Sequence, residues 1–238
     1  MNILKEILHK LGRKPLNPQL ETDSGEILDM IFQSDMQNLE VTRRELDRDA
    51  FALAVQMIEE AENIYILGIR NCQPLADFLG FYLNMMFDRV KLLTTNSTSE
   101  IFEQMLRIGS RDVMIGISFP RYSVRTLKAM EYANNRSAKI IAITDSVLSP
   151  LNLYSSCNLI AKSEMASVID SLTAPLSVVN GLIAALSVRH DSQMGDYLEK
   201  LVQVWEEYQV YNGDEMDYSD HHIEIWQADR NVERAGNE

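Results

Sequence analysis

The run Val113–Ile117, VMIGI, constrains the fold of this chain more than any other stretch. Five consecutive apolar or small residues suit a strand buried on both faces of a parallel sheet. Pro120 has no N–H to give to a sheet ladder, so the strand has to stop just before it. Ser123 then stands where it can cap a helix whose apolar positions are Leu127, Met130 and Ala133. Hydroxyls, the Arg121 guanidinium and the N–H groups of a helix start therefore meet at the carboxyl end of one strand. In open α/β sheets ligands bind at that end, and helix N-termini favour anions. The stretch reads as an anion pocket.

The same alternation recurs along the chain. Residues 64–67, 90–93, 139–143 and 158–161 are further short strands, separated by helical stripes such as Leu75, Phe78, Leu79, Tyr82, Leu83 and Met86. Five strands alternating with helices predict an α/β fold, a three-layer αβα sandwich on a five-stranded parallel sheet. Helices predicted over about 24–46 (Ile27, Leu28, Ile31, Phe32, Leu39) and 47–61 precede the first strand. Two more, over about 170–188 and 194–208, follow the last. Residues 1–24 read as a short amphipathic helix and a linker broken by Gly12, Pro15 and Pro18. Residues 25–210 form the predicted ligand-binding domain, and 211–238 an acidic tail.

Charge narrows the range of partners. Residues 191–238 hold 13 acidic and 3 basic residues, −10 of the chain's −13. Phosphate neutralisation on a duplex needs clustered Lys and Arg, so this chain alone is a poor DNA binder. No apolar run reaches transmembrane length, and nothing near Met1 resembles a signal sequence, so the chain reads as cytoplasmic with no membrane partner. Cys72 and Cys157 have no metal-ligand spacing, and the His221–His222 pair is too short for one. No metal or cofactor is expected.

Four strand ends carry polar residues. The first is Gly68-Ile69-Arg70-Asn71-Cys72, where Gly68 permits a tight turn and Arg70 can bind phosphate oxygens bidentately. One glycine does not make a dinucleotide fingerprint, and taken alone this is an ordinary turn with a surface arginine. The second, 94–99, is hydroxyl-rich as turns commonly are, and reads as structural. At the third, Ser118, Arg121, Tyr122 and Ser123 around Pro120 exceed what a turn requires. At the fourth, Thr144 and Ser146 can donate to a ligand beside Ser149, while Asp145 can equally cap a helix.

The stretches IYILGIRNCQPLADFLGFYL, DVMIGISFPRYSVRTLKAMEYAN, AKIIAITDSVLSPLNLYSSCNLIA and SEMASVIDSLTAPLSVVNGLIAAL resemble a SIS (sugar isomerase) domain. The resemblance is to the type fused to the RpiR family of sugar-phosphate-responsive bacterial regulators, and it spans roughly residues 27–208. It implies a phosphosugar or related anion clamped by the strand-end loops, in a homodimer or tetramer. The family's first loop usually reads G-x-G-x-S; here Arg70 and Cys72 replace the second Gly and the Ser. Its phosphate loop usually reads S-x-S-G-x-T; here Ser118 and Ser123 keep the outer hydroxyls, while Pro120 and Arg121 replace the inner Ser-Gly. One hydroxyl is lost and a cation gained.

In catalytic members a carboxylate moves a proton between sugar carbons, and the nearest match here is Glu164, with Ser171 its expected neighbour. The resemblance thus implies ligand contacts at Gly68, Arg70, Asn71, Cys72, Ser118, Arg121, Ser123, Thr144, Ser146, Ser149, Glu164 and Ser171. Glu164 is expected as a contact to sugar hydroxyls, in a non-catalytic sensing domain. The alternative is a phosphosugar isomerase or deglycase with Glu164 as base. Regulators of this type carry an N-terminal helix-turn-helix domain, and only about 25 residues precede the first SIS-type helix. The chain is therefore expected to be a truncated regulator, a ligand-sensing domain taken alone or a stand-alone SIS protein, with any operator binding from an absent or separate DNA-binding unit. The broad apolar faces around Gly80 and Gly181 suit either core packing or a subunit interface.

Overall fold

The structure, a computed structural model, describes residues 24–95, 97–164 and 170–210. Two helices, α1 (Ser24–Glu45) and α2 (Arg48–Glu60), lead into β1 (Ile64–Gly68). There follow α3 (Gln73–Met86), β2 (Val90–Leu92), α4 (Thr98–Gln104), β3 (Val113–Ile117), α5 (Val124–Asn135), β4 (Lys139–Thr144), β5 (Cys157–Ile160) and α6 (Thr173–Arg189). Short 3-10 turns stand at Arg70–Cys72 and Pro150–Leu153. The expected helix over residues 1–11 and the acidic tail lie outside the described residues. The chain divides after His190, and α7 (Asp191–Glu207) belongs to the second unit.

The five strands form one parallel sheet in the order β2-β1-β3-β4-β5, flanked by helices as the alternation predicts. The central strands β1 and β3 are buried at every residue, whereas the edge strands β2 and β5 are only partly so. That difference is why continuous apolar runs mark the centre of a parallel sheet. On one face Tyr65, Leu67, Met114, Ile140 and Ala142 pack with Met130 of α5 and Met105. Gly116 lies under Met130, whose sulfur occupies the space a β-carbon would take. The opposite layer contains α2, α3 and α6, with α1 packed on α6.

The structure moves some predicted boundaries. The fifth strand starts at Cys157, one residue early, and α6 starts at Thr173 instead of Asp170. Residues 170–172 stay irregular, and the Ser171 hydroxyl bonds to Asp35 on α1 at 2.6 Å. The small residues on the apolar helices have packing partners within the chain. Gly80 lies against Leu92, and Gly181 against the Phe51 ring.

Candidate functional site

Register places two of the polar strand ends side by side. Gly68, the last residue of β1, pairs with Ile117, the last residue of β3. From these two strands the chain departs to opposite halves of the sheet, to β2 on one side and β4 on the other. The crevice above them is the topological switch point, where side chains from both loops can reach one ligand.

Each loop is shaped by one feature of its sequence. In the first, a β-carbon on Gly68 would collide with the carbonyl of Cys72, so glycine lets the chain turn tightly into α3. In the second, the buried Ser118 hydroxyl accepts from the Ser123 N–H at 3.0 Å and closes the loop on itself. Ser123 in turn caps α5, accepting from the Thr126 N–H at 3.3 Å. Arg70 and Arg121 both have positive φ, 61° and 65°. They stand where the resemblance puts glycine in the two loops.

Between the loops lies a cavity of about 670 Å³, within the range typical of small-molecule sites. Arg70, Arg121 and Arg125 line it, with Asp170 the one carboxylate among the lining residues. The Asp170 side chain is 8% exposed. Its Oδ2 accepts from Asn71 Nδ2 at 2.9 Å and pairs with Arg121 Nη2 at 3.5 Å. Asp170 therefore bridges both loops. Among the described residues, three guanidiniums against one carboxylate give the cavity lining a net charge of +2. Cys72 is buried in its wall; burial, with the Asp170 carboxylate adding to it, pushes the thiol up to about 11. At neutral pH it is a protonated, weak hydrogen-bonding group.

Gly68, Arg70, Asn71, Cys72, Ser118, Arg121 and Ser123 are thus brought to one place. The fourth loop is not part of this lining. Thr144 is fully buried and donates to Ser149 Oγ at 2.8 Å, and Ser149 caps the 3-10 turn at Pro150–Leu153. Ser146 accepts from the Leu148 N–H at 3.1 Å. Asp145 accepts the Tyr122 hydroxyl at 2.8 Å, tying this loop to the wall of the cavity.

Glu164 is exposed and does not line the cavity. Its backbone is held by Asn38 of α1, through bonds of 2.9 and 3.2 Å. Ser171 bonds to Asp35 and not to Glu164. Two charged lining residues, Arg125 and Asp170, are absent from the sequence-based expectation. Arg125 carried a readable signal, a cation two residues past the Ser123 cap. Asp170 carried none, because its loop is distant in the chain.

The SIS domain family model matches residues 57–185, more than half of the chain. The chain belongs to the SIS domain family. Among solved structures, this SIS domain is similar to the sugar isomerase domain of an RpiR transcription factor from Sphaerobacter thermophilus. That match is 27% identical, with a TM-score of 0.71, over 75% of this chain and 99% of that one. It also resembles the Vibrio vulnificus NanR protein complexed with ManNAc-6P, at 19% identity and a TM-score of 0.66, over 78% and 70%. Phosphoheptose isomerase GmhA from Neisseria gonorrhoeae matches at 13% identity and a TM-score of 0.60, over 69% and 99%. The last two likenesses are of fold. No curated protein sequence matches the chain. No helix among the described residues is long and apolar enough to cross a membrane.

Proposed function

We propose that this SIS domain binds a sugar phosphate, or a closely related anionic sugar, as the non-catalytic sensing domain of an RpiR-type regulator of sugar metabolism. One observation carries the reading: the cavity at the switch point presents three arginines against a single carboxylate. A phosphate monoester bears about −1.5 to −2 charges near neutral pH, which complements that +2. Arginine forks bind phosphate oxygens bidentately, so Arg70, Arg121 and Arg125 offer from side chains what a glycine-framed loop offers from backbone N–H groups. The start of α5 adds its own preference for anions. Ser118 and Ser123 accept backbone N–H groups and so hold Arg121 and Arg125 in place, while each O–H can still donate to the anion.

The RpiR and NanR structures among the relatives support a regulatory role, as does the position of Glu164. A proton-transferring base must lie within hydrogen-bond reach of the substrate, and Glu164 lies outside the cavity lining. The reading includes assembly as a homodimer or tetramer.

The decisive experiment is thermal unfolding against a panel of sugar phosphates, their dephosphorylated sugars and inorganic phosphate. A ligand at 100 times its Kd stabilises by about 2.7 kcal/mol, an easily read shift. Stabilisation by phosphorylated sugars, weaker stabilisation by inorganic phosphate and none by the dephosphorylated sugars is expected, and no shift with any anion would sink the proposal. Glu164→Gln separates sensor from isomerase. The sensor keeps its ligand affinity, whereas an isomerase would show turnover in the wild type and lose it in the variant.

A further inference from the structure

Helix α1 turns polar side chains inward, with Ile27, Ile31 and Leu39 half-buried beside them. Its buried residues are the polar Asn38 and Thr42, while Leu28, Phe32 and Met36 are 55%, 58% and 59% exposed. Buried polar side chains need partners, and here the partners all lie on the connection between β5 and α6. The Thr42 hydroxyl accepts from the Lys162 N–H at 2.8 Å, and Asn38 brackets the Glu164 backbone. Asp35, one turn earlier, takes the Ser171 hydroxyl on Oδ1 at 2.6 Å and the Thr173 hydroxyl on Oδ2 at 2.9 Å. Ser163 Oγ donates to the Ser171 carbonyl at 2.9 Å, so the two ends of the connection are also tied together. One polar row on α1, at spacings of three and four residues, therefore grips this connection at both ends.

The residue before Ser171 is Asp170, the carboxylate of the cavity. We propose that Asp35 is a positioning residue for the cavity, and that it couples α1 to anion binding through Ser171 and Asp170. This rests on the cavity being an anion site. An anion reaching Arg121 competes with Asp170 for the guanidinium. Once Arg121 turns to the ligand, Asp170 loses a partner, and the strain passes to the adjoining Ser171–Asp35 contact. Coupling of this kind is reciprocal: what loosens the grip of α1 alters anion affinity, and anion binding alters α1 by the same free energy. Because Asp170 opposes the anion, releasing it tightens binding.

The test is a double-mutant cycle on the full chain, with inorganic phosphate and glucose 6-phosphate as probes and calorimetry as the readout. Asp170→Asn is expected to tighten binding by about fivefold, the lower end of measured site-to-site couplings. Asp35→Ala is expected to tighten it in the wild-type background and to change nothing in the Asp170→Asn background. Should Asp35→Ala not fold, Ser171→Ala removes the same link from the other side and enters the same cycle. Hydrogen exchange supplies a second readout: amides of α1 around Asp35 should exchange faster with phosphate bound, and should not respond in Asp170→Asn. Equal effects of Asp35→Ala in both backgrounds would overturn the coupling, as would phosphate binding with α1 exchange unchanged. If neither probe binds the wild type, the anion site itself falls, and the coupling with it.

Discussion

Arg70 and Arg121 share one left-handed backbone conformation, with φ of 61° and 65°, just beyond the ends of the neighbouring strands β1 and β3. Non-glycine residues seldom adopt it, because the β-carbon crowds the following carbonyl, at a cost of about 1–2 kcal/mol each. The resemblance puts glycine at both positions. This chain keeps the turns that glycine makes easy and places a guanidinium on each. Ser137 and Gln209 also have positive φ, but Arg70 and Arg121 are the pair that lines one cavity, and strain held there points to the cavity as the functional region.

Replacing Arg70 by glycine tests that reasoning. Relief of the left-handed strain outweighs the added freedom of the unfolded chain, so Arg70→Gly should raise stability by about 0.5 kcal/mol. Among the described residues Arg70 has no ion pair whose loss would offset the gain. Anion affinity should fall. Urea unfolding and phosphate titration read the two effects, and a destabilised variant would contradict the strain argument.

Gly68→Ala should act in the opposite sense. The new β-carbon meets the Cys72 backbone carbonyl, which cannot swing aside as a flexible side chain can. A loss of about 1–3 kcal/mol is expected, the range for overpacking. The shifted turn carries Arg70 and Asn71 with it, so anion affinity should drop as well. Unfolding midpoints with and without phosphate measure both.

Thr144→Val separates structure from binding. It removes a fully buried hydroxyl bonded to Ser149 at 2.8 Å, which should cost about 1–2 kcal/mol. Thr144 does not line the cavity, so phosphate affinity should stay unchanged. A selective loss of binding in a well-folded variant would return the fourth loop to the site.

Alkaline pH should destabilise the fold as its buried thiols and the Tyr122 hydroxyl titrate, with Cys157 raised to about 11 like Cys72. Burial raises the Cys72 thiol to about 11, and burial helped by the Asp145 carboxylate raises the Tyr122 hydroxyl to about 12. In each case the folded state holds its proton more tightly than the unfolded state. Their stabilisation is complete below the unfolded values of 9.0 and 10.0 and is lost as pH climbs towards the folded ones. Denaturant midpoints measured from pH 8 to 11 should fall throughout the upper part of that range. Below pH 9 a thiol reagent should label Cys72 only on unfolding, because the buried thiol presents almost no thiolate.

The sheet is legible in the amino-acid order alone. Runs such as Val113–Ile117 are apolar at every residue because both faces of a central parallel strand are covered, and that burial is written residue by residue. So are the loops that follow β1 and β3, since Gly68, Pro120 and Ser123 act on their immediate neighbours. Apolar periodicity found α1 and part of its inward face: Ile27, Ile31 and Leu39 are half-buried, but Leu28 and Phe32 are exposed and the most buried residues are Asn38 and Thr42. That packing follows from tertiary contact, since the Lys162 and Glu164 backbone groups take their partners from Thr42 and Asn38. Tertiary structure alone brought Asp170 to Arg121 and turned Thr144 towards Ser149. Local pattern records what a residue does for its own strand or helix; pairing between distant side chains depends on the register of the sheet, which no single stretch encodes.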